Sequence, residues 1–144
     1  MRPLLCALFV FLCSAGVGAA PEPNIVIMVA DDLGWSDVGF HGGDIDTPSL
    51  DRLAAEGMEL SRFYTTPICS PTRAALMTGR DPMRLGVAYA VIWPWTNAGI
   101  HPEEHFMPQS FQAAGYQTAM VGKWHLGHAL QAYHPNARGF EHFY

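Results

Sequence analysis

The sequence has little cysteine and almost no lysine. Its 144 residues include three cysteines, and two of them, Cys6 and Cys13, lie in an apolar N-terminal segment. If that segment is removed on export, Cys69 remains alone, and a lone cysteine that forms no internal disulfide is either unused or reactive. Lys123 is the only lysine. The sequence therefore excludes a disulfide framework and directs attention to the surroundings of these two residues.

Basic residues are also scarce, with 8 Lys and Arg against 13 Asp and Glu and a net charge of −5. A surface of this charge argues against nucleic acid as a partner. It does not exclude an anionic small-molecule substrate, because binding in a pocket depends on local charge.

A transmembrane span is excluded by the lack of a long apolar run. Residues 3–11 are almost wholly apolar, follow Arg2 and precede the small residues of 14–20. This order predicts a secretory signal peptide over 1–20, which we favour over a buried N-terminal helix. We therefore expect export through the secretory pathway to an extracellular, lysosomal or periplasmic location, with residues 21–144 as one domain.

Strand and helix signals alternate along the rest of the chain. The predicted helices begin at proline and end at glycine, and the predicted strands are apolar and rich in β-branched or aromatic residues. The helices are predicted over 47–57, 70–79 and 108–115, and the strands over 24–30, 60–65 and 116–121. Residues 85–105 predict a long surface loop. The alternation predicts a layered α/β architecture.

Two carboxylates, Asp31 and Asp32, come directly after the first predicted strand. Ligands collect at the carboxyl ends of strands in open α/β sheets, and adjacent carboxylates suit a hard cation such as Ca²⁺ or Mg²⁺. A turn in which both aspartates accept hydrogen bonds from backbone amides is the other interpretation.

The sequence Cys69-Ser70-Pro71-Thr72-Arg73 opens the second predicted helix. A helix N-terminus offers backbone N–H groups and a positive dipole end to an anion, and Arg73 lies one turn further on. The alternative is an inert, buried cysteine beside a surface arginine.

Lys123 and His125 follow the strand predicted to end near residue 121. Two residues apart in an extended chain, their side chains would face the same side. A lysine can bind an oxyanion and a histidine can protonate a leaving group. An exposed strand end explains either residue alone. Taken together with the aspartate pair and the Cys69–Arg73 segment, however, Lys123 and His125 indicate a site for an anionic ester and a hard metal ion. The other histidines show no metal-ligand spacing.

Three blocks of this sequence resemble the sulfatase family, in the family's order. Residues 69–80 resemble its first signature, 24–32 resemble its first strand with paired calcium ligands, and 122–127 (GKWHLG) resemble its second signature. Residues 37–42 and 92–94 are most similar to the arylsulfatase B branch. The resemblance implies the N-terminal part of an alkaline-phosphatase-like α/β fold with a largely parallel central sheet, here truncated.

The resemblance also implies a reaction and its cofactors. Cys69 would be oxidised to formylglycine by a formylglycine-generating enzyme, and its hydrate would attack the sulfur of an aryl or carbohydrate sulfate ester. Asp31, Asp32 and position 69 would bind Ca²⁺. Arg73 would support the nucleophile, Lys123 would hold a sulfate oxygen, and His125 would orient or protonate the reacting groups.

Length is where the sequence departs from the family. The resemblance implies a second Asp/Asn pair on the metal and another lysine and histidine beyond residue 144. This difference in length leaves an inactive truncated product as one alternative to an active sulfatase. The second alternative is a formylglycine-dependent phosphodiesterase or phosphonate hydrolase, which the resemblance also allows because such enzymes belong to the same superfamily.

Overall fold

A computed structural model describes residues 22–144, so the signal peptide predicted over 1–20 lies outside the described residues. The described chain divides into two units, 22–32 and 33–144.

The first unit contains no helix or strand among its described residues. Its apolar side chains from Ile25 to Val29 are between 43% and 81% exposed. The prediction of a doubly buried strand over 24–30 is therefore wrong for this chain. A strand of that kind needs a paired strand beside it and other elements packed on both of its faces. The one sheet of the described residues is formed by residues 119–120 and 142–143 and does not include this segment.

The second unit contains three α-helices, all close to their predicted positions. They are α1 (Pro48–Glu56), α2 (Cys69–Thr78) and α3 (Met107–Ala113). The N-cap of α1 is Thr47, and the N–H of Gly57 donates to the carbonyl of Leu53 at its end. Helix α2 ends at Gly79, whose φ of 65° lies in the left-handed region that favours glycine. Proline near the start and glycine at the end therefore predicted these boundaries to within two residues.

The sheet of this unit is one parallel pair of short strands. Strand β1 (Ala119–Met120) pairs with β2 (His142–Phe143), with Ala119 opposite His142. Two 3₁₀ helices, Gln131–Tyr133 and Pro135–Arg138, lie in the crossover between them. The strand predicted over 116–121 is thus shorter than expected, and that predicted over 60–65 is absent, since those residues form a turn and irregular backbone.

One apolar core lies between α2, the 86–106 segment and the turn that follows β1. Its members are buried and in mutual contact: Ala74, Met77, Ile92, Ile100, Phe106, Trp124, Leu126 and Phe140. Residues 86–106 contain no helix or strand apart from an isolated bridge between Gly99 and Gly127. The loop predicted over 85–105 therefore begins one residue late, because Leu85 ends a 3₁₀ helix (Pro82–Leu85), and it is only partly at the surface, because Ile92 and Ile100 are buried in the core. The core therefore fixes this loop and the turn at 122–127 against α2, which positions the predicted site residues of the second unit.

Candidate active site

Cys69 is the first residue of α2, with Ile68 as the N-cap, so the helix begins one residue earlier than predicted. It is a free cysteine and half-buried. The Thr72 hydroxyl donates to the carbonyl of Thr66, 2.5 Å away, and thereby attaches the first turn to the preceding loop. The thiol is thus held at a helix N-terminus, where backbone N–H groups and the dipole favour an oxygen-bearing anionic group.

Ser70 joins α2 to two distant segments. Its side chain is fully buried, and its hydroxyl donates to the carbonyl of His125 over 2.8 Å. The same oxygen accepts the backbone N–H of Ile92 at 3.0 Å. The residue beside the candidate nucleophile therefore fixes both the histidine segment and the loop. No role for this serine was predicted from the sequence.

Arg73 makes a second link between α2 and the same turn. The guanidinium is buried, and its Nη1 donates to the carbonyl of Lys123 at 2.7 Å. A buried arginine without hydrogen bonds is costly, so this contact ties the backbone of Lys123 to the helix. The interpretation of Arg73 as a surface residue is wrong, and the structure gives it a positioning contact.

The turn at 122–127 has an unusual backbone. Gly122, His125 and Gly127 all have positive φ, at 103°, 62° and 119°. Among residues 22–144, the only non-glycine residues with positive φ are His125 and Asp32, which is at 60°. Such conformations cost about 1–3 kcal/mol and cluster at functional sites. Both residues were already candidate site residues from the sequence. His125 is thus not in the extended chain that the sequence argument assumed.

Trp124 anchors this turn between its two candidate residues. Its side chain is 8% exposed, packs at ring-centroid distances of 5.7 Å from Phe106 and 6.2 Å from Phe140, and donates through Nε1 to the carbonyl of Tyr133 at 2.8 Å. The tryptophan is packed in the core, whereas the flanking Lys123 is exposed and the flanking His125 is half-buried.

A cavity of roughly 410 Å³ adjoins this turn. Its lining includes four side chains with a basic nitrogen: Lys123, His125, His128 and His134. The rest of the lining is apolar or glycine: Ile92, Pro94, Trp124, Gly127, Pro135 and Phe143. Lys123 and His125 therefore face one common space, as the sequence predicted, although through a left-handed turn.

Asp31 and Asp32 end the first unit, and both are exposed. Their carboxylates are of the type that Ca²⁺ prefers, but the ion usually takes six to eight oxygens. Among residues 22–144, no group of three or more acidic, histidine or cysteine side chains could hold a metal ion. The described residues therefore do not form a complete calcium site.

Arg138 is a buried cation that the sequence analysis did not identify. It is 2% exposed, and its guanidinium donates to the carbonyls of His101, Pro102 and Glu104 and lies 4.0 Å from the centre of the Phe106 ring. Burial lowers the pKa of Arg138, and the charge of Glu104 partly opposes this effect. A lone arginine beside a glycine gives no local sign that its partners lie more than 30 residues away.

Comparison with known proteins gives the family of this chain. The family model for sulfatases matches residues 23–144. The chain belongs to the sulfatase family. It is 45% identical to N-acetylgalactosamine-6-sulfatase of Canis lupus familiaris, over all of this chain and 30% of that protein. It is 40% identical to arylsulfatase J of Mus musculus, over 90% of this chain and 22% of that protein.

Solved sulfatase structures have the same fold. The PsFucS1 sulfatase from Pseudoalteromonas sp. superposes with a TM-score of 0.70 at 38% identity, over 80% of this chain and 24% of that one. Ps i-CgsB in complex with k-i-k-neocarrahexaose superposes with a TM-score of 0.68 at 37% identity, over 80% of this chain and 26% of that one. The alkaline-phosphatase-like α/β fold predicted from the sequence is thereby confirmed. This sulfatase chain spans less than a third of the length of these curated relatives.

Proposed function

We propose that this chain provides the nucleophile half of the active site of a sulfuric ester hydrolase that acts on aryl or carbohydrate sulfates. One observation carries the proposal. The helix that begins at Cys69 is hydrogen-bonded through Ser70 and Arg73 to the turn that presents Lys123 and His125 to a common cavity.

Position 69 is proposed to hold a formylglycine made from the cysteine by a formylglycine-generating enzyme. When present, this group would supply a hydroxyl nucleophile for sulfur and, through its second hydroxyl, a way to release sulfate. The half-buried thiol at the first turn of α2 fits this modification, since oxygen substituents there meet the positive end of the helix.

Each remaining residue has a defined task in this proposal. Lys123 binds a sulfate oxygen as a point charge, and His125 donates a proton to the alcohol oxygen as the sulfur–oxygen bond breaks. Arg73 holds the backbone of Lys123 through its carbonyl and so places the ammonium group. His125 lines the same cavity, from a backbone with a positive φ.

The calcium part of the proposal is limited to two ligands. Asp31 and Asp32 would bind Ca²⁺, and most of its oxygen ligands would have to come from outside residues 22–144. Calorimetric titration of the chain with Ca²⁺ tests the assignment. Weak binding should disappear in Asp31→Asn and persist in Asp44→Asn, an exposed aspartate in the second unit. Equal binding by both variants would contradict it.

Localisation is part of the same proposal. We infer export through the secretory pathway, where the modifying enzyme acts on the chain. Among residues 22–144, no helix is long and apolar enough to cross a membrane. N-terminal sequencing of exported protein should find a start near residue 21, and a chain that retains Met1 would contradict export by cleavage.

The experiment that tests the function is peptide mapping followed by turnover. Chain co-expressed with a formylglycine-generating enzyme should show the mass loss of thiol-to-aldehyde conversion at Cys69 and should react with an aldehyde probe. A thiol that persists while a control sulfatase is converted would contradict the proposal.

Turnover adds a test of reaction class. Any hydrolysis by the modified protein should be of sulfate esters, should vanish in Cys69→Ser, and should fall about 10²–10⁴-fold in His125→Ala. His105→Ala is the matched control, since His105 is exposed and its ring contacts the Ser110 hydroxyl. Equal rates on phosphate diesters would favour a phosphodiesterase instead.

A further inference from the structure

The cavity beside Lys123 and His125 has no acidic residue in its lining, although the chain as a whole has 13 acidic residues against 8 basic ones. Four of the lining side chains have nitrogen atoms that can bind an anion or a hydroxyl group. Two of these, His128 and His134, have no task in the proposed hydrolysis. The surface of the cavity is otherwise mostly apolar, so these residues supply its polar part, and no carboxylate in the lining repels a negatively charged group.

The orientation of His134 follows from one contact. Its Nε2 lies 2.9 Å from the carbonyl oxygen of His128. A carbonyl oxygen can only accept, so Nε2 must carry the proton of this hydrogen bond. In the neutral ring, Nδ1 is then an acceptor, which is the group that a sugar hydroxyl needs as a partner. His134 is half-buried, and the contact holds its ring in place, whereas His128 is exposed.

The apolar part of the lining complements these polar groups. Ile92, Pro94 and Phe143 contribute carbon surface, and Phe143 is 37% exposed and so available for contact. The cavity volume of about 410 Å³ lies within the range of small-molecule sites. Carbon surface with a few placed polar groups matches a sugar ring, which has C–H faces and hydroxyl edges. A simple aryl group would leave both histidines unused.

We propose that this cavity binds the sugar ring that bears the sulfate ester, and that His128 and His134 determine specificity for its hydroxyl groups. This inference rests on the proposed function, since Lys123 and His125 would hold the sulfate at one side of the same cavity. It assigns these two histidines to ring recognition and gives them no part in breaking the ester bond.

The test is an NMR titration of the chain that follows the histidine ring protons. The ligands are galactose 6-sulfate, phenyl sulfate and inorganic sulfate, and the variants are His128→Ala and His134→Gln. Glutamine keeps a donor for the His128 carbonyl, whereas its only acceptor, Oε1, lies away from the position of Nδ1. The matched control is His101→Gln, because the His101 side chain is 69% exposed and outside the cavity lining.

We expect galactose 6-sulfate to shift the His128 and His134 resonances and to bind more tightly than phenyl sulfate. Each variant should weaken binding of the sugar by about 5- to 50-fold and binding of the other two ligands by less than about 2-fold, as expected for the loss of one or two hydrogen bonds. The His101 variant should bind all three ligands as the wild type does. Equal losses for all three ligands would identify a general anion contact and overturn the inference.

The outcomes separate this inference from the proposed function. Conversion of Cys69 to the aldehyde together with sugar binding that ignores both variants would leave the sulfatase proposal standing and refute the role of the histidines. A thiol that resists conversion, together with histidine-dependent binding of the sugar, would do the reverse.

Discussion

Replacing Ser70 by alanine should strongly destabilise the chain, even though the change removes one oxygen atom. The hydroxyl is fully buried, donates to the carbonyl of His125 and accepts from the N–H of Ile92. Alanine cannot make either bond. Both backbone groups therefore lose their partner in a region where the Ile92 side chain is itself only 5% exposed.

The magnitude follows from the cost of unsatisfied buried groups. Leaving one buried donor or acceptor without a hydrogen bond costs about 1–3 kcal/mol. His125 is half-buried, so water can partly replace the serine hydroxyl as a partner of the His125 carbonyl. Ile92 is buried, so water has less access to its backbone N–H. We therefore expect a loss of about 2–4 kcal/mol in the free energy of unfolding, which is a roughly 30- to 1,000-fold change in the folding equilibrium.

Urea unfolding followed by tryptophan fluorescence measures this loss. Ser110→Ala is the matched control, because Ser110 is an exposed serine on α3 whose hydroxyl lies 2.7 Å from the His105 ring. The control should change the free energy of unfolding by less than about 0.5 kcal/mol. If Ser70→Ala lowered the free energy of unfolding no more than the control did, the two hydrogen bonds of Ser70 would not be what holds α2 to the turn at 122–127, and the proposed support of His125 by Ser70 would be refuted.

Three further changes test the supports of the site by the same urea unfolding. Arg138→Met should cost about 1–3 kcal/mol, because three backbone carbonyls lose the donor that the buried Arg138 side chain supplies, whereas Arg84→Met at an exposed position should cost little. Gly127→Ala should cost more than Gly86→Ala: both have positive φ, but a Cβ on Gly127 would lie 2.7 Å from the Gly99 Cα and one on Gly86 meets nothing within 4 Å. Trp124→Phe should cost about 1–3 kcal/mol, since the carbonyl of Tyr133 loses its indole donor, and an unchanged value would mean that water replaces it.

The helices were predictable because their boundaries are encoded locally. Thr47 and Pro48 start α1, Gly57 ends it, and Gly79 ends α2 in a left-handed conformation that glycine adopts at little cost. A strand has no such local independence. Residues 24–30 and 60–65 are apolar enough for strands, but a strand forms only with a partner, and the described residues supply none for either segment.

In the candidate site, too, some features could be predicted from local sequence and others could not. Cys69, Lys123 and His125 are visible in the sequence because their chemistry and order are distinctive. The task of Ser70 depends on partners 22 and 55 positions away, and serine in a helix start is too common to indicate burial. The left-handed backbone of His125 was likewise hidden, since the surrounding glycines could equally mark an ordinary turn.

Two hydrogen bonds hold α2 to the turn at 122–127, and neither can form during synthesis until that turn has been made. They join residues 50 and 55 positions apart, Arg73 with Lys123 and Ser70 with His125. At about 5–20 residues per second, a ribosome needs roughly 3–10 s to make the intervening chain. During that interval residues 69–73 lack these tertiary bonds, and an enzyme that recognises them as extended chain has several seconds of access before the fold closes over them.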